Sequence, residues 1–214
     1  MTTDEDTWHR EVLPEGWERA AGDLADRSAL DGFYLAGGTG LALHLGHRRS
    51  LDLDLFRETE FDPADLLRRL SGLSRLRIGR TAPGALHVSV DGILVSFLHF
   101  PYPLLFPLAA FEAVSVADAR DIACMKVNAI ATRGGRRDFV DLYVASQLYG
   151  LAAILAWFDQ KFRATPYNRV HLYKALTYFR DAEAEPMPDM LVALEWETVK
   201  RYFATEVPRL ARLV

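Results

Sequence analysis

The sequence has one cysteine, no long hydrophobic run and no basic leader segment. Since a single cysteine cannot close a disulfide within the chain, Cys124 argues against the disulfide-rich class of secreted domains. No uninterrupted apolar stretch reaches the roughly 18 residues that a membrane-spanning helix needs. The chain starts with the largely acidic residues 1–6, unlike the basic start of a secretory signal peptide. These absences predict a cytoplasmic protein.

The sequence also lacks a large excess of one charge, internal repeats and low-complexity segments. Its formal net charge of -4 over 214 residues does not suggest wholesale nonspecific binding to nucleic acid. Half of the residues are hydrophobic, enough for a proper core in one large domain or two small ones. Local contact with nucleic acid stays open because arginines cluster, although each cluster alone is more often a solvated surface. The clusters are Arg48-Arg49, Arg68-Arg69, Arg75 with Arg77 and Arg80, and Arg133 with Arg136-Arg137.

A glycine turn between two predicted strands is the most informative segment. Residues 33–36 form a short apolar run typical of a buried strand, and Gly37-Gly38 lets the chain turn sharply. Thr39 is predicted to cap a short helix that ends at Gly46. The amides of Gly37, Gly38 and Thr39 would then lie at a positive helix N-terminus, which suits a phosphate. We predict that these three residues form a triphosphate cradle.

Two aspartates follow in the predicted strand 51–56. Because side chains alternate along a strand, Asp52 and Asp54 share a face, about 7 Å apart at roughly 3.3 Å of rise per residue. Neighbouring anions favour a cation, and Mg²⁺ takes hard oxygen ligands together with water and substrate phosphate; two ions could also share the pair. A bare Asp-x-Asp is more often the solvated face of an amphipathic strand. The preceding strand, turn and short helix favour the metal site.

A second predicted site segment lies on two helices. Lys126 and Arg133 are near two turns apart on a helix predicted over residues 115–133, so both can face one site. The predicted start of that helix is a capping box of Ser115 and Asp118, and Gly134-Gly135 would end it. For Lys126 the two interpretations are a solvated lysine and a point-charge contact to a triphosphate.

The next helix, predicted over residues 136–149, begins with Arg137 and Asp138. Asp138 and Asp141 are one turn apart and share a face. One interpretation is a structural ion pair of Arg137 and Asp138. The other is functional: one aspartate contacts metal or nucleotide and the other orients Arg137 or Lys126.

Residues Phe33 to Phe56, with Ala36-Gly37-Gly38-Thr39, His47-Arg48-Arg49-Ser50 and Asp52-Leu53-Asp54, resemble the AbiEii/AbiGii-type nucleotidyltransferase toxins of the DNA polymerase β-like nucleotidyltransferase superfamily. Residues 121–126, 129–133 and 137–143 look like that family's lysine-bearing helix and Arg-Asp-x-x-Asp helix. The resemblance runs to about Tyr149.

This resemblance implies a metal-dependent nucleotidyltransferase that moves a nucleotide from a nucleoside triphosphate to an acceptor such as tRNA. It also implies a toxin of a toxin-antitoxin or phage-defence pair, with a separately encoded antitoxin. The predicted nucleotide-binding residues are Gly37, Gly38, Thr39, Arg48, Ser50 and Lys126. The predicted metal ligands are Asp52 and Asp54, for Mg²⁺. The predicted catalytic residues are Asp52, Asp54, Lys126, Asp138 and Asp141.

The superfamily commonly has a third carboxylate on a later strand, and the matching strand here carries Ser96 instead. Asp138 or Asp141 could supply its function, or positioning and metal could suffice. The protein could also be a catalytically weakened nucleotide- or RNA-binding protein of the same fold. A zinc site is disfavoured because the histidines form no recurring ligand pair. A serine hydrolase is disfavoured because the sequence lacks Gly-x-Ser-x-Gly.

The predicted elements give an α+β fold, a small mixed β-sheet core with flanking helices followed by a helical half. The predicted strands are 33–36, 51–56, 76–81, 86–90 and 93–100, the last two joined by the hairpin turn Asp91-Gly92. The predicted helices are 14–29, 41–45, 62–70, 115–133, 136–149, 151–163, 168–184 and 189–204. We predict two domains, a nucleotidyltransferase core with an N-terminal helix over 1–108 and a helical domain over 109–214.

Overall fold

The computed structural model describes residues 8–212. Within them, seven strands form one mixed sheet. The strands are β1 Tyr34–Leu35, β2 Asp52–Arg57, β3 Leu76–Ala82, β4 Ala85–Val90, β5 Ile93–His99, β6 Ala109–Phe111 and β7 Val114–Val116. The helices are α1 Trp17–Ala25, α2 Gly37–Leu45, α3 Pro63–Leu70, α4 Ala119–Thr132, α5 Arg136–Tyr149, α6 Leu151–Lys161, α7 Arg169–Ala175, α8 Arg180–Glu183 and α9 Trp196–Ala211. This mixed sheet with packed helices confirms the predicted fold class.

The sheet has the strand order β3-β4-β5-β2-β1-β7-β6. Strands β2 and β5 are parallel, as are β1 and β7, and the other neighbours are antiparallel. The predicted hairpin between β4 and β5 is confirmed, because Asp91 and Gly92 both have left-handed backbone angles, with φ of 52° and 90°. A two-residue turn sets the register of both strands, so it also decides which of their residues lie opposite each other.

One face of the sheet carries the larger core. Leu53 and Leu55 of β2 are buried on this face, as the predicted alternation requires. The same alternation in β4 and β5 buries aliphatic and aromatic side chains, which pack with α1 and α3. Toward β3, the opposite face is open. The β2 aspartates therefore lie on the side of the sheet that the core leaves free.

The helical half has its own core around Phe139 and Phe203, both 0% exposed. A buried ion pair joins α6 to α4, with 2.7 Å between Lys161 Nζ and Asp121 Oδ1. The Asp121 carboxylate also accepts hydrogen bonds from the amides of Leu105 and Phe106. This pair therefore holds the proline-containing segment 101–108 against the helices.

Two predicted helix starts are wrong. Ser115 lies in β7, and α4 begins four residues later with Asp118 as its cap, whose carboxylate accepts the Arg120 amide at 2.9 Å. Pairing of residues 114–116 with neighbouring strands outweighed the local capping signal. Thr39 does not cap α2, which already begins at Gly37.

The predicted helix 189–204 is also wrong, since α9 runs over Trp196–Ala211. Residues 189–191 instead hydrogen-bond to the loop after α2, through the Arg49 amide and the His47 carbonyl. The predicted helix 168–184 is split into α7 and α8, and the helix predicted over 14–29 spans only Trp17–Ala25. Long-range pairing and local turns override helical periodicity in these segments.

The predicted division at residue 108 stays a prediction, and strands β6 and β7, beyond it, extend the same sheet through β1. Among residues 8–212, no single helix is long and apolar enough to cross a membrane. Only α5 and α6 taken together reach that length and composition, and they are bent by 108°.

Candidate active site

A cavity of about 570 Å³ lies between the sheet and the helices α4 and α5. Its volume is within the roughly 300–1,000 Å³ of small-molecule sites. Most of the predicted site residues line it, namely Gly37, Gly38, Arg48, Ser50, Asp52, Asp54, Lys126 and Asp138. Thr39 and Asp141 are buried behind this lining, with 1% and 0% of their surface exposed.

The glycine turn is shaped by its neighbours. Gly37 has a left-handed φ of 62°, and a Cβ there would lie 2.6 Å from an Asp54 carboxylate oxygen. A Cβ on Gly38 would overlap the guanidinium of Arg48. Both positions therefore need glycine, because Asp54 and Arg48 occupy the space that a side chain would take. Both glycines also line the cavity. Among residues 8–212, no side chain caps this helix start.

Thr39 supports the turn from inside. Its hydroxyl hydrogen-bonds with the Ser50 hydroxyl at 2.7 Å and with the Asp52 carbonyl. These contacts tie the first turn of α2 to the start of β2. Thr39 therefore fixes the distance between the glycine turn and the aspartates.

Asp52 and Asp54 are half-buried on the open face of β2. Burial raises the pKa of Asp54, and the neighbouring charge of Asp52 raises it further, while Lys126 opposes the shift. Two carboxylates that destabilise each other in this way would be stabilised by a cation between them.

The donor set fits a divalent ion that keeps water and substrate ligands. In residues 8–212, no group of three or more His, Cys, Asp or Glu side chains converges as a complete protein site. Mg²⁺ is typically held by one or two carboxylates plus substrate phosphates. Asp52 and Asp54 supply such a pair beside a cavity with room for a triphosphate.

A serine and a histidine lie beside Asp54 on the two strands that follow β2 in the sheet order. Ser96 of β5 lies in register with Asp54 of β2 and with His87 of β4. The Ser96 hydroxyl is 3.0 Å from His87 Nδ1, and a hydrogen bond from Ser96 favours the charged form of Asp54. The position of the absent third carboxylate is therefore occupied by this pair.

His87 lines the cavity, although no motif in the sequence singles it out. The predicted hairpin nevertheless contains its position. A two-residue turn at 91–92 places residues 90 and 93 opposite each other, and hence His87 opposite Ser96. The position of the turn in the sequence therefore already predicts that His87 lies beside Ser96.

Lys126 lies between two carboxylates. Its Nζ is 3.0 Å from Asp138 Oδ1 and 2.7 Å from Asp141 Oδ2, and Arg133 Nε is 2.7 Å from Asp138. Lys126 and Arg133 thus face one site, as their spacing predicted. Burial alone would raise the pKa of Asp138, but the two cations outweigh it and lower the pKa.

Asp141 is the centre of the buried charge cluster. Its carboxylate lies 2.8 Å from His47 Nε2, 2.6 Å from Arg48 Nε and 2.8 Å from Arg48 Nη2, in addition to Lys126. Burial opposes ionisation, but Lys126 and Arg48 hold the pKa of Asp141 well below its ordinary value. Asp141 therefore orients two cavity cations from behind.

The expected contact of Asp138 or Asp141 with Arg137 is not seen among the described side chains. Arg133 occupies that place beside Asp138. Gly134 and Gly135 connect the end of α4 to the start of α5. This short connection brings Arg133, at the end of α4, next to Asp138. Arg137 instead lines the cavity.

Comparison with known proteins identifies the family of this chain and solved structures with a similar fold. The family model described as "Nucleotidyl transferase AbiEii toxin, Type IV TA system" matches residues 20–212. An uncharacterized protein of Aquifex aeolicus is 36% identical over 181 residues, covering 82% of this chain and 86% of the relative.

Two solved structures are similar at low sequence identity. The crystal structure of a proposed nucleotidyltransferase from H. pylori aligns with a TM-score of 0.50 at 16% identity, covering 92% of this chain and 96% of that one. The solution structure of the antibiotic-resistance factor ANT(2'')-Ia aligns with a TM-score of 0.50 at 12% identity, covering 68% and 90%. At these identities the likeness shows the fold alone.

Proposed function

The chain belongs to the AbiEii family of nucleotidyltransferase toxins, and we propose that it moves a nucleotide from a nucleoside triphosphate to an acceptor such as tRNA with the help of Mg²⁺. One observation supports this most strongly. The glycine turn, the two β2 aspartates and the Lys126 ammonium line the same cavity. Together they offer amides and a cation to phosphates and hard oxygen ligands to a divalent ion.

The triphosphate lies against the start of α2. Gly37 and Gly38 present backbone amides to it, and Arg48 and Ser50 contact it from the side. Lys126 contributes a point charge. Its ammonium donates a hydrogen bond to Asp138 and forms an ion pair with Asp141, and we assign a further N–H of the ammonium to a phosphate oxygen.

Asp52 and Asp54 hold the metal. When bound, Mg²⁺ would supply positive charge to the attacking and leaving oxygens. The oxygen of the acceptor hydroxyl forms a bond to the α-phosphorus while the bond from that phosphorus to pyrophosphate breaks, and the hydroxyl proton passes to solvent. Ser96, which is hydrogen-bonded to His87, opposes the rise that burial causes in the pKa of Asp54 and so favours its charged, metal-binding form. Such transfer depends mainly on positioning and electrostatics, so a serine at the third position is compatible with turnover.

Partner and location follow from the same proposal. As a member of a type IV toxin-antitoxin family, the protein would act with a separately encoded antitoxin. We place it in the cytoplasm, where nucleoside triphosphates and tRNA are available.

The test is pyrophosphate release by the purified chain, with each nucleoside triphosphate and total RNA, with and without Mg²⁺. Asp52→Ala and Asp54→Ala should each abolish the Mg²⁺-dependent signal. Asp181→Ala, a matched change at an exposed position of α8, should leave it unchanged. Full activity in both β2 variants would contradict the metal assignment. Triphosphate binding without release, for every acceptor, would indicate a binding protein instead.

A further inference from the structure

We infer that the open face of strands β5, β4 and β3 binds the backbone of a single-stranded nucleic-acid acceptor, whose terminal hydroxyl lies at Asp52 and Asp54. This inference rests on the proposed function, because it specifies where the acceptor lies. We call this surface the acceptor face. It consists of two rows of side chains that cross four strands.

Register defines the two rows. The first runs from Asp52 on β2 through Leu94 on β5 and Ser89 on β4 to Arg77 on β3. The second runs from Asp54 through Ser96 and His87 to a bulge in β3, where Gly79 and Arg80 together lie opposite His87. Residues paired in register point to the same side of a sheet, so each row is one continuous strip.

The acceptor face is open and continuous with the cavity. Neighbours of its residues in β4 and β5, such as Val88 and Val95, are 2% or less exposed on the core side. Leu94 is 56% exposed, and His87 and Ser96 line the same cavity as the aspartate pair. The two rows therefore run from the cavity to exposed side chains toward the sheet edge, Leu94 and the arginines of β3.

The dimensions match a short stretch of nucleic acid. Adjacent strands lie roughly 4.8 Å apart, so the three steps from β2 to β3 cover about 14 Å. A stacked strand advances about 3.4 Å per nucleotide, which puts the β3 arginines near the fourth nucleotide from the reacting end. Leu94 offers an apolar contact to a base on the way.

Charge completes the complementarity. Arg75, the residue before β3, is paired with Asp91 at 3.5 Å. Arg77 and Arg80 are exposed and form no ion pair with any of residues 8–212. Charged residues on an edge strand also discourage pairing with other chains. Protection of the sheet edge would not by itself require arginines at the ends of the two rows that begin at Asp52 and Asp54.

The test is fluorescence anisotropy of a labelled 12-nucleotide single-stranded RNA with the full chain, at KCl concentrations from 50 to 200 mM. The double variant Arg77→Gln/Arg80→Gln should bind at least fivefold more weakly at 100 mM KCl. The slope of log affinity against log salt should fall by about 1.4, since each phosphate contact on a single strand contributes about 0.7. The matched control is Arg68→Gln/Arg163→Gln, with the same charge change at exposed positions outside the acceptor face, and it should stay within twofold.

A second pair of variants tests the face without touching the arginines. Leu94→Glu adds a negative charge beside the metal pair and should weaken RNA binding at least fivefold. Leu148→Glu, at a 62% exposed position of α5, is its control. A DNA strand of the same sequence distinguishes ribose from deoxyribose acceptors.

Triphosphate binding separates this inference from the proposed function. The Arg77→Gln/Arg80→Gln variant should bind Mg²⁺-nucleoside triphosphate like the parent. Failure of the parent to bind RNA, or an unchanged affinity and salt slope in the double variant, would overturn the acceptor face while leaving the triphosphate site intact. Failure of the parent to bind any nucleoside triphosphate would instead count against the proposed function.

Discussion

Replacing Asp141 with asparagine should destabilise the fold far more than an ordinary surface substitution. The Asp141 side chain is 0% exposed and contacts Lys126 and Arg48, which are 5% and 3% exposed. The Asp141→Asn change would keep the side-chain volume but remove the charge. Lys126 would then keep Asp138 as its partner, whereas Arg48 would lose its ion pair with a carboxylate.

The expected magnitude follows from breaking a buried ion pair, which typically costs about 3–5 kcal/mol. Because Asp138 still compensates Lys126, we expect the lower end, about 3 kcal/mol. This corresponds to about a 150-fold change in the ratio of folded to unfolded protein. A domain of this kind is stable by about 5–15 kcal/mol in total, so the variant should fold but with a small margin.

The assay is urea unfolding followed by tryptophan fluorescence and circular dichroism. With a slope of about 2 kcal/mol/M, the midpoint should fall by about 1.5 M. The control is Asp189→Asn, whose carboxylate is 71% exposed and 3.8 Å from the exposed Arg49. A surface pair of this kind contributes at most about 1 kcal/mol.

The pH dependence has a defined sign. The pKa of Asp141 in the folded protein is depressed, so its charge stabilises the fold above the ordinary aspartate pKa of about 3.9, and the contribution is lost as the pH falls through the folded value. The difference in unfolding free energy between parent and variant should therefore be constant from pH 7 to about 5 and decrease only at more acid pH. A loss below 1 kcal/mol with a large fall in turnover would refute the reasoning and assign Asp141 to the chemistry.

Three further predictions concern the cavity. Asp54→Ala should leave the melting temperature equal or higher without Mg²⁺, because it relieves repulsion with Asp52, and should remove the stabilisation by Mg²⁺-triphosphate in a thermal-shift assay. Gly38→Val should displace Arg48 and weaken triphosphate binding by equilibrium dialysis, whereas Gly22→Ala, with open space around its Cβ, should not. Ser96→Ala should lower kcat with little change in triphosphate affinity, because Asp54 loses a hydrogen bond while the glycine turn is untouched. A change in triphosphate affinity alone would argue against a role of Ser96 in supporting Asp54.

The local parts of the site could be predicted from the sequence. Alternation along a strand puts Asp52 and Asp54 on one face, the spacing in α4 puts Lys126 and Arg133 on one side, and Asp91-Gly92 makes the hairpin. Each of these depends on the geometry of a few consecutive residues, which the sequence contains directly.

The sequence by itself also determined the family, because its motifs lie in short blocks, and the family model confirms it. Only the tertiary structure decided the roles of Asp141, Thr39 and Ser115. Asp141 meets Arg48 across 93 positions of sequence, and no local rule specifies that contact. A carboxylate that is buried away from water must be compensated by cations, and tertiary packing decides which cations lie beside it. Only the packed fold therefore shows which side chains stabilise the site and which ones face a ligand.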